Sequence, residues 1–159
     1  MWGVCKLNVD GGVLEGRGAS LGAVIRDDGG RVKLAASWRG DECWNASIAE
    51  AKAILWGLQL AVEFGFRKVQ VESDCQGLVT AIREQERGDS CLHLILDDIY
   101  HVCNSFESVS WSLIRRGGNK VAHELAHSNM GVLGRQVWLS NFPSCITSLV
   151  NTDSPTNDI

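Results

Sequence analysis

Glu50 stands where a carboxylate is costly. Asn45 reads as the N-cap of a long helix running to Phe64, with Gly65 ending it. In that helix Lys52, Gln59 and Glu63 mark the wet face, joined by Trp56 at helical spacing. Glu50 lies two positions from Lys52, about 200° around the helix and so nearly opposite. Its helical neighbours Ser47, Ala53, Ile54, Gly57 and Ala61 are small or apolar. A carboxylate on that side must be paired, protonated or bound to a cation. The other reading is an acid of the first helical turn, favoured by the macrodipole and still wet.

Asp10 and Asp74 bear on the choice. Each ends an expected strand beside a turn or helix start, and in open sheets that edge is where ligands bind. Taken singly, each also reads as a turn or N-cap residue. Three acids gathered without a base partner raise one another's cost, so they make poor structural glue. Magnesium resolves the conflict, because it takes oxygen ligands and bridges to phosphates.

The elements that must position these acids are readable in outline. Val4–Asp10 alternates, with Cys5, Leu7 and Val9 on one face, and Gly11–Gly12 is expected to stop the strand. Strands over Ser20–Arg26 and Val32–Trp38 follow, joined by the hairpin turn Asp27–Asp28–Gly29–Gly30. After the Glu50 helix come a strand at Val69–Asp74 and helices at Cys75–Arg87 and Leu92–Phe106. A strand at Ser108–Arg115 precedes a glycine break and a last helix from Asn119. The order βββαβααβα predicts one mixed sheet flanked by helices, with right-handed crossovers. Past Gly131 no pattern is clear, and 151–159 reads as a frayed tail. Trp38, Trp56, Trp111 and Trp138 read as core, and Trp44 as a staple before the helix.

Bulk properties narrow the class. A chain of 159 residues suits one domain. The six cysteines form no CxxC pair and there is no signal-peptide pattern, so reduced thiols and a nuclear or cytoplasmic, non-secreted location are expected. No apolar run suits a membrane. A formal net charge of −4 speaks against tight unaided binding to a polyanion; divalent cations or a partner must supply positive charge.

The motifs KLNVDGG (6–12), GAVIRDDGG (22–30), AEAKAILWGLQLA (49–61), VQVESDCQGLV (69–79), NKVAHELA (119–126) and VWLSNFP (137–143) occur in order. Together they resemble the type 1 ribonuclease H superfamily, and more closely the plant ribonuclease H-like domain of non-LTR retrotransposon reverse transcriptases. The resemblance implies an α/β fold with a five-stranded mixed sheet, an antiparallel meander followed by parallel strands, spanning residues 4–143. Residues 144–159 would be a C-terminal extension with a disordered end. It also implies an endonuclease that hydrolyses the RNA strand of RNA/DNA hybrids by a two-metal mechanism. Asp10, Glu50 and Asp74 match the first three metal ligands, and His123 stands where the family carries a fourth acid. Two ions, magnesium or manganese, are the implied cofactors. Asn8, Gly11, Gly12, Ser73, Arg115 and Asn119 are the substrate-contact candidates. The implied partners are an RNA/DNA hybrid or other nucleic acid and a fused or associated reverse transcriptase, the domain itself being a monomer.

Two departures temper the expectation. His123 replaces an anionic oxygen by a neutral nitrogen, which manganese accepts more readily than magnesium. Glu124, about 100° away on the helix, is a poor substitute. The loop RRGGN at 115–119 lacks the histidine of cellular relatives, and Asp97 and Asp98 stand where some bacterial relatives carry a basic grip. The alternative is therefore a catalytically impaired, retrotransposon-derived module that binds nucleic acid or protein.

Overall fold

The computed structural model describes residues 3–14, 18–128 and 132–150. Six strands form one sheet: β1 (Cys5–Leu14), β2 (Gly18–Arg26), β3 (Val32–Gly40), β4 (Lys68–Ser73), β5 (Ser108–Leu113) and β6 (Gly134–Trp138). Their spatial order is β5-β4-β1-β2-β3-β6. The meander β1–β2–β3 is antiparallel, while β4 joins β1, and β5 joins β4, in parallel. This is the expected mixed sheet, extended by β6, which pairs antiparallel with β3. The helices are α1 (Ala46–Glu63), α2 (Gln76–Arg83), α3 (Cys91–Cys103), α4 (Lys120–His127) and the short α5 (Ser144–Thr147).

The Asn45 side chain caps α1 by accepting from the Ile48 N–H at 2.9 Å. Nine α1 residues are buried, among them Ile54, Leu55, Leu58 and Leu60 against Leu7, Val9 and Leu96. Smaller side chains on this helix let it lie close to the sheet. Gly11 and Gly12 do not stop β1, contrary to the sequence expectation. A Cβ at Gly11 would lie 2.4 Å from the Ala49 carbonyl oxygen, so glycine here admits the α1 backbone rather than ending the strand.

On the other face α4 crosses β2 just as closely. A Cβ at Gly22 would meet the Ala122 carbonyl oxygen at 2.2 Å, and Gly22 is the register partner of Asp10. Val121, Ala122 and Leu125 bury there with Val24, Ala35 and Ile146, the last from α5. Trp38, Trp56 and Trp111 pack at the edge of the main core, and Trp138 against this second cluster. Trp44 stacks on Trp38 with ring centres 5.3 Å apart. All six cysteines are free thiols. Among the described residues no helix is long and apolar enough to cross a membrane. The expected frayed tail at 151–159 lies outside the described residues.

Candidate metal centre

The site forms where β1 and β4 part. Their parallel register runs only from Cys5↔Val69 to Asn8↔Glu72. Beyond Asn8, side chains take over the β1 backbone: Asn119 Nδ2 donates to the Val9 carbonyl at 2.9 Å, and Gly11 N–H donates to Glu50 Oε1 at 3.2 Å. Asp10, between them, is in the interior of β1 rather than at its end, and only 4% exposed. Asp74 follows the last residue of β4. Glu50 is the fifth residue of α1, whose first turn holds no acid, so the macrodipole is not what places it. Ligand oxygens of Asp10, Glu50 and Asp74 all lie within 4.8 Å of one another.

The three carboxylates perturb one another strongly. Burial and the negative charge of Asp10 push Glu50 up to about 8. Asp74 is raised by burial and by Asp10, with Asn119, Arg116 and His123 opposing. Burial raises Asp10 too, yet hydrogen bonds from His127, Glu50 and His123 outweigh it and leave the group below its ordinary value. Glu50 Oε2 is buried and accepts no hydrogen bond. Burial and the charge of Asp10 thus favour the neutral form of Glu50. An orphaned carboxylate oxygen beside two further carboxylates is the donor set that a hard divalent ion needs, and the residues fit such an ion.

His123 joins the cluster from α4. Its Nδ1 is 2.9 Å from Asp10 Oδ2. His127, one turn later, brings Nε2 to 3.6 Å from the same oxygen. The motif series does not single out His127, although the HxxxH spacing puts both rings on one helical face.

The other candidates take different places. Asn119 is fully buried, and its Oδ1 accepts from Asn8 Nδ2 at 3.2 Å, so these two residues tie the start of α4 to β1. Asn119 sits at the N-cap position of α4, but its side chain does not cap the helix. Ser73 is also fully buried, accepting through Oγ from the Cys75 N–H at 3.1 Å. Gly12 lies under the His127 ring. Arg115 is exposed, just before a single 3-10 turn at Arg116–Gly118. A cleft of roughly 290 Å³ opens beside the acids, lined by Asp74, Arg116, Lys120, His123, Glu124 and Leu149. Replacing Asn119 by alanine strips partners from Val9, Asn8 and Asp74 together. It is expected to cost on the order of 2–3 kcal/mol in urea unfolding, together with most metal-induced stabilisation.

Strand order and flanking helices are those of the ribonuclease H-like fold. The fold matches ribonuclease H1 from Halobacterium salinarum with a TM-score of 0.72 at 20% identity, over 81% of this chain and 98% of that one. A ribonuclease H1 isolated from compost, solved with an RNA/DNA hybrid, gives 0.70 at 22% identity over 80% and 96%. The foamy viral protease–reverse transcriptase, also solved with a hybrid, gives 0.63 at 13% identity over 81% of this chain and 20% of that one. Within this class the chain belongs to the reverse transcriptase-like family, whose profile matches residues 8–129. No curated protein matches it.

Proposed function

We propose that this domain is a metal-dependent endonuclease that hydrolyses the RNA strand of RNA/DNA hybrids. The observation that carries the reading is the convergence of Asp10, Glu50 and Asp74 within 4.8 Å. Together with His123 these residues would hold two divalent ions, magnesium or manganese. Such ions activate a water for attack and stabilise the departing oxygen. The chain's own part is to hold the donors. Gly11 N–H fixes Glu50, the Asn8–Asn119 pair fixes α4 against β1, and Gly22 keeps α4 close enough for His123 to reach Asp10. Arg116 and Lys120, on the wall of the adjoining cleft, give a scissile-strand phosphate a positive neighbour.

The chain carries a net charge of −4, so the affinity for the hybrid depends strongly on the ions and on a partner. The plant, non-LTR retrotransposon kinship rests on the motif series ending in VWLSNFP, and points to a reverse transcriptase, fused or associated, as that partner. The foamy viral protease–reverse transcriptase offers a parallel, since 20% of that chain matches this fold.

The test is cleavage of an end-labelled RNA/DNA hybrid with magnesium and manganese in parallel, using wild type and Asp10→Asn. Metal-dependent RNA cleavage by wild type that falls to background in the variant is expected. Cleavage that survives in Asp10→Asn would place the chemistry elsewhere. A wild type silent with both metals would favour the binding-module alternative.

A further inference from the structure

The two histidines of α4 and Asp10 form a donor set different in kind from the three acids. One ring nitrogen from each of His123 and His127 and an Asp10 oxygen lie within 4.8 Å of one another, and the ring centres are 4.1 Å apart. Metal–nitrogen bonds of about 2.1 Å set adjacent donors roughly 3.0–3.4 Å apart in octahedral or tetrahedral geometry. The nitrogen-to-oxygen distances here, 2.9 and 3.6 Å, fall on either side of that spacing. Both imidazoles remain open to solvent, His123 at 58% and His127 at 35% of the side chain, so an ion can reach them.

The surroundings seat His127 as well. The bare Cα of Gly12 makes room for the ring: a Cβ there would meet His127 Cε1 at 2.7 Å and Nε2 at 3.1 Å. The same Cβ would meet Ser20 Oγ at 2.8 Å, and this buried hydroxyl has no hydrogen-bond partner.

We infer that Asp10, His123 and His127 form a second, nitrogen-rich site that takes a borderline transition-metal ion, of the zinc, cobalt or nickel class, in preference to magnesium. Imidazole suits these ions, whereas magnesium holds to oxygen ligands. The site shares Asp10 and His123 with the proposed nuclease centre and adds His127, so its effect on cleavage rests on that proposed function, but its metal binding does not. An ion bound there competes with the oxygen site for Asp10, and free transition metal thereby sets how much magnesium-supported activity is expressed.

Titration with cobalt(II), followed by its visible absorption and by calorimetry, tests the site without reference to cleavage. The proteins are wild type, His127→Ala, His127→Gln, and the double variant Glu50→Gln/Asp74→Asn, which dismantles the oxygen cluster. The double variant is expected to bind one cobalt with the affinity of the first, tighter cobalt taken by wild type. Both His127 variants, checked for folding by circular dichroism, are expected to bind at least about tenfold more weakly. Equal binding by the His127 variants, loss of binding in the double variant, or no cobalt uptake by wild type would each overturn the proposal. Cobalt binding that follows this pattern in a protein with no nuclease activity leaves the site standing and removes only the function.

Discussion

Glu50→Gln is expected to abolish metal-dependent cleavage while making the metal-free protein more stable at pH 8. The reason is that Glu50 is held up to about 8 by burial and by Asp10. A carboxyl whose folded value exceeds its unfolded value stabilises the fold while protonated and loses that contribution as pH rises. The unfolded value is near 4.5, so the wild-type protein without metal should lose stability progressively from about pH 4.5 to beyond 8. A shift of this size corresponds to a few kcal/mol at most, since the Asp10 pair shares it. Glutamine keeps the shape and can still accept from Gly11 N–H, but carries no charge to suppress. Thermal unfolding from pH 5 to 9 in a chelator should therefore slope downward for wild type and be flatter for the variant. Added manganese or magnesium should lift wild type most at high pH and lift the variant little. Parallel slopes in the two proteins would show that Glu50 is already ionised and lies outside a shared proton or ion site.

Glu50 is also the site residue most legible in the amino-acid sequence. Helical geometry is regular, so two positions from Lys52 fixes the opposite face whatever lies beyond it. The three antiparallel strands, the two parallel ones and the helices between them are legible for the same reason, through local periods and turns. Asp10 is placed less well. The pair Gly11–Gly12 looks like a strand stop, and only the approach of Ala49 shows that it is a strand interior under a helix. The distinction lies in a contact 38 residues away along the chain, which no local pattern encodes. Strand β6 escapes for a related reason. It is a five-residue edge strand with no fully buried position, and its partner β3 is distant in sequence. His127 is a different case, since the HxxxH spacing is in plain view. The motif series leads to the position of a missing acid and stops one turn short of the second imidazole.

The buried acids and the close-packed glycines belong to one design problem. A cation site needs its carboxylates near one another, and the repulsion this creates must be resisted by the scaffold. Here two helices are drawn onto the sheet from opposite faces, α1 at Gly11 and α4 at Gly22, within one residue or one cross-strand pair of Asp10. Asn119 then holds the start of α4 to β1 through a fully buried amide. The hydrophobic clusters beneath each helix supply the stability against which the charges are held.

His123→Asp should raise magnesium-supported cleavage by about tenfold or more and shift the preference from manganese toward magnesium. The substitution restores an oxygen donor at a position where the present nitrogen is already 2.9 Å from Asp10. The histidine side chain is more than half exposed, so the shorter residue leaves no cavity in the core. Its cost is electrostatic. His123 is one of the groups that lower Asp10, and an aspartate in its place withdraws that hydrogen bond and adds a like charge. The metal-free variant should therefore unfold at a lower temperature at pH 7 than wild type, and saturating magnesium should more than restore the difference. Magnesium-supported activity rises while metal-free stability falls, and stability recovers once magnesium is bound, a pattern that a remote surface substitution does not produce. Unchanged magnesium activity together with unchanged metal-free stability would place position 123 outside the metal shell and leave Asp10, Glu50 and Asp74 to hold the ions alone.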